Sequence, residues 1–170
     1  GMAGGSVLVD MSSSAPMGTI ALGEALAERG IRMVDAPVSG GVPRAIEGSI
    51  AIMVGGAKED IEKVRPALET MSGQIFETGG LGSAHAMKSI NNVLSATNLL
   101  VGIEALVVGK KFGLDPQNMV DILNYSSGKN SATESKLKEY VLSREFNSGF
   151  SMDLMIKDGA TALDLAHEMG

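Results

Sequence analysis

The chain has 170 residues, 44% of them hydrophobic and 20% charged, with no cysteine and a formal net charge of −6. That length can hold one or two domains with a real core. The lack of thiols excludes a disulfide framework and a thiolate metal site, and the acidic balance argues against a general nucleic-acid or anionic-membrane binder.

The first half reads as strands alternating with helices. Val7-Leu8-Val9 is a short apolar run ending at Asp10. A helix is expected from Met17 to Arg29, stopped by Gly30. Ile31 to Val34 is the next strand, ending at Asp35, and Ser49 to Val54 is a third, closed by Gly55-Gly56. Lys58 to Met71 is amphipathic, with Ile61, Val64, Leu68 and Met71 on one face, and Ile75-Phe76 is a last short strand. Strands separated by helical stretches predict a parallel sheet in an α/β layer.

From Ser83 onward no strand is expected. Ser83 can cap a helix running to Phe112, with Gly113 as its stop. Its apolar stretch, Val93 to Val108, is interrupted by Ser95, Thr97, Asn98, Gly102 and Glu104, which predicts a largely buried helix rather than a membrane span. Pro116 opens a helix over Gln117 to Tyr125, Ser131 to Ser143 is helical, and a final helix starts near Met152. The fold class is therefore α/β followed by all-α, with a boundary near Gly82. Both ends read as cut, and Gly1 before Met2 reads as a cloning scar. No basic signal-peptide region is visible near Met2, and with the lack of cysteine this predicts a cytoplasmic protein.

Lys88 and Asn92 are the residues that most need a chemical explanation. Four positions apart, they share one helix face. Gly79-Gly80-Leu81-Gly82-Ser83 precedes them. An ammonium beside an amide can move a proton and orient a substrate oxygen, and burial lowers a lysine's pKa toward a useful range. Gly80-Leu81-Gly82 imitates a dinucleotide fingerprint, but His85 stands where its third glycine belongs, and Glu104 lies inside a helix rather than at a strand end. It is not read as a pyrophosphate loop.

Two strand ends resemble each other: Val9-Asp10-Met11-Ser12-Ser13-Ser14-Ala15-Pro16 and Val34-Asp35-Ala36-Pro37-Val38-Ser39-Gly40-Gly41. Ligands of parallel sheets bind beyond the carboxyl ends of the strands. Ser39 with the backbone N–H groups of Gly40 and Gly41 can hold a carboxylate; an ordinary turn is the alternative. His85 and His167 are too isolated to predict a metal site, and none is expected.

Taken in order, these motifs resemble the β-hydroxyacid dehydrogenase family, the group of 3-hydroxyisobutyrate dehydrogenase and tartronate semialdehyde (2-hydroxy-3-oxopropionate) reductase. Asp35 to Gly41 resembles its substrate signature, Gly80 to Asn92 its catalytic signature, Lys157-Asp158 its late Lys-Asp motif, and Ser12 to Pro16 its loop beside the nicotinamide, with Ser13 where the family commonly has threonine. Gly41 to Gly48 is most similar to the tartronate semialdehyde reductase branch.

The resemblance implies that residues 1–82 are the later part of a Rossmann-type NAD(P)-binding domain. Residues 83–170 would be a truncated 6-phosphogluconate-dehydrogenase-like helical domain for substrate binding and dimerisation. It implies NAD or NADP as cofactor and a small carboxylate as substrate. Lys88 would be catalytic, Ser39, Gly40, Gly41 and Asn92 substrate-binding, and Ser13 and Lys157 cofactor-binding. Neither nucleic acid nor membrane is an expected partner, and homo-oligomers are expected through helix 83–112. The family's Gly-x-Gly-x-x-Gly loop does not occur in this chain, so a fragment of the parent enzyme is expected. A non-catalytic dimerisation module is the competing reading. A 6-phosphogluconate-type enzyme is the third, but no sugar-phosphate pocket is legible.

Overall fold

A computed structural model describes residues 1–170. It divides into two compact units, Gly1–Asn91 with Ile156–Gly170, and Asn92–Met155.

The first unit is built on a mixed sheet of β1 (Val7–Asp10), β2 (Arg32–Asp35), β3 (Val38–Ser39), β4 (Ala51–Gly55) and β5 (Gln74–Gly79). β1 and β2 run parallel, Val7 opposite Arg32 and Asp10 opposite Asp35, and β4 and β5 are also parallel. β4 meets β2 and β3 antiparallel, which corrects the expectation of a uniformly parallel sheet. The cause is connection length. A parallel crossover needs about a dozen residues or more, usually with a full helix. Residues 11–31 carry α1 (Pro16–Ala27) and residues 56–73 carry α3 (Lys58–Glu69), whereas residues 40–50 carry only the six-residue α2 (Gly41–Ile46). The chain therefore turns back on itself there.

Val34, Ala36, Ile52, Val54, Ile61 and Leu68 form the core of this unit, with Val7, Val9, Val38, Val64 and Ile75 packed against it. Ile61, Val64 and Leu68 come from one face of α3, as its spacing predicts. Asp60 in the first turn of α3 suits the helix dipole and pairs with Arg32 of β2 at 2.9 Å.

Gly55 ends β4 in a crowded place. A Cβ there would lie 2.7 Å from Asp35 Oδ1 and Ser83 Oγ and 2.8 Å from the Gly80 carbonyl. A backbone oxygen cannot swing aside as a flexible side-chain end can. Gly55→Ala is therefore expected to destabilise this unit by about 1–3 kcal/mol, as other overpacked sites do. Urea denaturation checks this; an unchanged midpoint would refute it.

The second unit contains most of α4 (Ser83–Phe112), α5 (Pro116–Asn124), α6 (Ser131–Ser135) and a wider π-type segment over Leu137–Leu142. Leu106, Val120 and Leu137 make its core, with Leu99, Ile103 and Met119 beside them. Asp115 caps α5 by accepting from Asn118 N at 2.8 Å, and Asn130 with Thr133 forms a capping box on α6. The helix expected over Ser131 to Ser143 is thus two segments that meet at Lys136. The last helix is α7 (Met152–Met169).

α4 departs from expectation. It was predicted to be largely buried, yet Leu94 is 60% exposed, Val101 58% and Val108 67%. Only a narrow stripe is covered, including Ala84, His85 and Ser89 near its start and Leu106 farther along. The polar interruptions argue against a membrane span but do not establish burial, because a helix can be apolar on a face that its own chain leaves open. By length and composition alone α4 could cross a membrane. Its first turns are instead seated in the sheet unit.

Candidate active site

The ends of β1 and β2 carry aspartates in register, Asp10 opposite Asp35, and each does a different job. Asp35 is fully buried and accepts from Gly82 N at 2.9 Å and from His85 N at 2.8 Å. These donors belong to the start of α4. Ser83 was expected to cap that helix, but its hydroxyl bonds Thr78 Oγ1 at 2.7 Å. A strand-end carboxylate thus caps α4 from outside the helix, supplying both acceptors and a charge suited to a helix N-terminus.

Asp10 folds its own loop. Its Oδ1 accepts from Ser12 N at 2.9 Å, its Oδ2 accepts from the Ser14 hydroxyl at 3.3 Å, and the Ser12 and Ser14 hydroxyls are 2.7 Å apart. Burial pushes its carboxyl up, but the hydrogen bonds from Ser12 and Ser14 and the nearby His85 outweigh that and hold it below the usual carboxylate range. The exposed Ser12 and Ser13 are presented at the carboxyl end of β1.

His85 is fully buried on the first turn of α4. Its Nε2 lies 3.0 Å from the Ser12 carbonyl and its Nδ1 2.8 Å from Thr19 Oγ1 on α1. Lys88 follows three positions later and is half-buried. Burial holds its ammonium below the usual lysine range; Asp158 nearby pushes it back up, and Lys157 pushes it down. Asn92 lies one turn beyond Lys88 on the same continuous helix.

Lys157 and Asp158 arrive on α7. The Lys157 ammonium donates to the Ser13 carbonyl at 2.8 Å and pairs with Asp158 at 3.1 Å. The structure thus joins two predicted cofactor-side residues directly and sets the Lys157-Asp158 pair close enough to Lys88 to shift it. Ser39, Gly40 and Gly41 stand together where β3 passes into α2. Gly40 has φ 139° and Gly41 φ 68°, and a Cβ on Gly40 would meet Arg44 at 2.8 Å. Both conformations favour glycine, and the Arg44 side chain occupies the space a side chain on Gly40 would take.

Three residues had no role assigned from the sequence: Asp35 as the external cap, His85 as a tie between elements, and Asp158 as the charge facing Lys88. Asp35 offered a signal, an acid ending a strand two positions before Pro37. His85 was weighed only as a metal ligand, and its bonds reach 66 and 73 positions away, beyond any local pattern.

The donor set suits the nicotinamide end of a dinucleotide. Exposed serine hydroxyls and a cation gather at the carboxyl end of β1, where such ligands bind. A family profile described as the NAD-binding domain of NADP-dependent 3-hydroxyisobutyrate dehydrogenase matches residues 82–170. Another, the NAD-binding domain of 6-phosphogluconate dehydrogenase, matches residues 1–80. The chain is 42% identical to 2-(hydroxymethyl)glutarate dehydrogenase of Eubacterium barkeri over 96% of its own length and 54% of the relative's. It is 36% identical to 3-hydroxyisobutyrate dehydrogenase of Pseudomonas aeruginosa over 95% and 56%. A solved structure of the Mycobacterium tuberculosis 3-hydroxyisobutyrate dehydrogenase with L-serine superposes with a TM-score of 0.89 at 30% identity, over 96% of this chain and 58% of that one. The chain spans about half the length of the relatives it matches. With both of its halves matched by NAD-binding profiles, the chain belongs to the 3-hydroxyisobutyrate dehydrogenase family.

Proposed function

We propose that this chain supplies the proton-transfer and substrate-binding residues of an NAD(P)-dependent 3-hydroxyacid dehydrogenase. The remainder of that enzyme would grip the dinucleotide phosphates. The observation that carries the reading is Lys88: a half-buried lysine with a lowered pKa, faced by Asp158 and Lys157, on a helix whose start is capped by Asp35. Perturbed groups of this kind concentrate at catalytic sites.

Bound nicotinamide would supply the hydride acceptor or donor. In oxidation Lys88, neutral, takes the proton from the substrate hydroxyl; in reduction it returns that proton to the developing alkoxide. Asn92 orients the reacting oxygen. The hydroxyl of Ser39 and the amides of Gly40 and Gly41 hold the carboxylate. Ser13 and Lys157 line the cofactor side. Substrates of this class place a hydroxyl on the carbon β to a carboxylate: 3-hydroxyisobutyrate, or tartronate semialdehyde in the reducing direction. The relatives' names, which include 2-(hydroxymethyl)glutarate and L-serine dehydrogenases, support that shared unit. The exposed apolar face of α4 supports association between copies through helix 83–112, and a cytoplasmic setting fits such metabolic chemistry.

The full-length protein should be assayed with these acids and either nicotinamide cofactor. Turnover of none of them would sink the reading. Within an active enzyme, the Lys88 surroundings predict opposite pH shifts. Oxidation needs neutral Lys88, so kcat/KM rises as pH climbs through its pKa. Asp158 raises that pKa, so Asp158→Asn is expected to move the rise to lower pH. Lys157 lowers it, so Lys157→Met is expected to move the rise to higher pH, measured with cofactor saturating. Shifts in the same direction would contradict this electrostatic reading.

A further inference from the structure

We infer that His85 is a positioning residue that locks the Ser12–Ser14 loop to the helix carrying Lys88, and so sets where the nicotinamide end of the cofactor lies relative to the proton donor. The inference rests on the functional reading above and adds a residue to it. A carbonyl oxygen only accepts, so His85 Nε2 carries the proton donated to Ser12 O at 3.0 Å. The other ring nitrogen, Nδ1, shares a hydrogen bond with the Thr19 hydroxyl at 2.8 Å. The backbone of the same residue donates to Asp35 at 2.8 Å. One fully buried residue thus ties α4 to the end of β2, to α1 and to the loop after β1.

The bonds that Asp10 makes with Ser12 and Ser14 act within the loop and shape it; they cannot fix its distance from α4. The His85 bond spans 73 positions and can. Its effect passes one residue further along the loop. The Ser13 carbonyl, next to the held Ser12 carbonyl, accepts from Lys157 at 2.8 Å, and Lys157 in turn pairs with Asp158. Lys88, three residues after His85, feels both of those charges. Freeing the Ser12 carbonyl would therefore loosen the cofactor side without removing any group that touches cofactor or substrate.

Two near-isosteric variants separate this role from mere packing. A glutamine amide can place its N–H where Nε2 stands and keep the bond to Ser12 O. An asparagine amide reaches only to the Nδ1 position, keeping Thr19 and losing Ser12. In the full-length enzyme, His85→Asn is expected to raise the cofactor KM about tenfold to a hundredfold, the order seen when a group is misplaced by about 1 Å. His85→Gln should stay within about threefold of wild type, well below that range. Amide exchange at Ser12, whose N–H donates to Asp10 Oδ1 at 2.9 Å, followed without ligand, should be faster in His85→Asn alone. Equal cofactor KM values and equal exchange in the two variants would overturn the inference. So would a His85→Gln protein that loses cofactor affinity or does not fold, which also decides the matter should His85→Asn be unstable. A wild-type enzyme without hydride transfer would instead overturn the functional reading, and the exchange comparison would still judge the strut.

Discussion

Lys88→Ala in the full-length dehydrogenase is expected to lower kcat by about 10²–10⁴-fold, the usual contribution of a positioned general acid or base. Cofactor affinity should change little, because Lys88 is assigned no cofactor contact. Lys88→Arg should fall as far. A guanidinium keeps the charge but does not deprotonate in proteins, so it cannot take the substrate proton. That variant separates proton transfer from simple charge attraction. Steady-state turnover and a cofactor titration on all three proteins make the test. Full activity in Lys88→Arg would mean that the lysine merely attracts an anion, and an unchanged kcat in Lys88→Ala would remove it from the chemistry.

Asp35→Asn is expected to cost about 2–3 kcal/mol of stability, although it changes a single atom. Two backbone N–H groups converge on the two carboxylate oxygens, from Gly82 at 2.9 Å and from His85 at 2.8 Å. An amide offers one oxygen and one NH2, so one buried N–H must face another N–H. Leaving a buried donor unsatisfied costs about 1–3 kcal/mol, and hydrogen bonds to charged groups lie at the upper end. For a chain of this size the melting temperature should drop by roughly 5–10 °C. Circular dichroism melting of the chain itself is sufficient. A variant that melts with the wild type would show that the start of α4 does not depend on this cap.

Both effects bear on what the sequence disclosed. The alternation of elements, the start of α3 at Lys58 and the span of α4 from Ser83 to Phe112 were legible because each has a local signal, apolar spacing or a glycine stop, although the serine expected to cap α4 bonds elsewhere. The partial burial of Lys88 was legible too, from a charge inside an apolar run. The antiparallel turn between β3 and β4 was not, since direction depends on how far residues 40–50 can reach and not on any single residue type. Burial of α4 was misjudged for a similar reason. Hydropathy says which face seeks cover, not whether this segment supplies it. The Asp35 cap and the His85 ties were illegible because their partners are remote in sequence.

The turn from β3 into α2 has a consequence for how such an enzyme can change its diet. Ser39 is held in the backbone ladder opposite Ala51, whereas residues 41–48 form an exposed arm outside the core. Lys88 sits on a different element, anchored through Asp35. Under the proposed function, substrate discrimination and proton transfer would thus be mounted on separate parts. Residues on the arm could then be exchanged to alter which acid is welcomed, while the chemical step keeps its foundation.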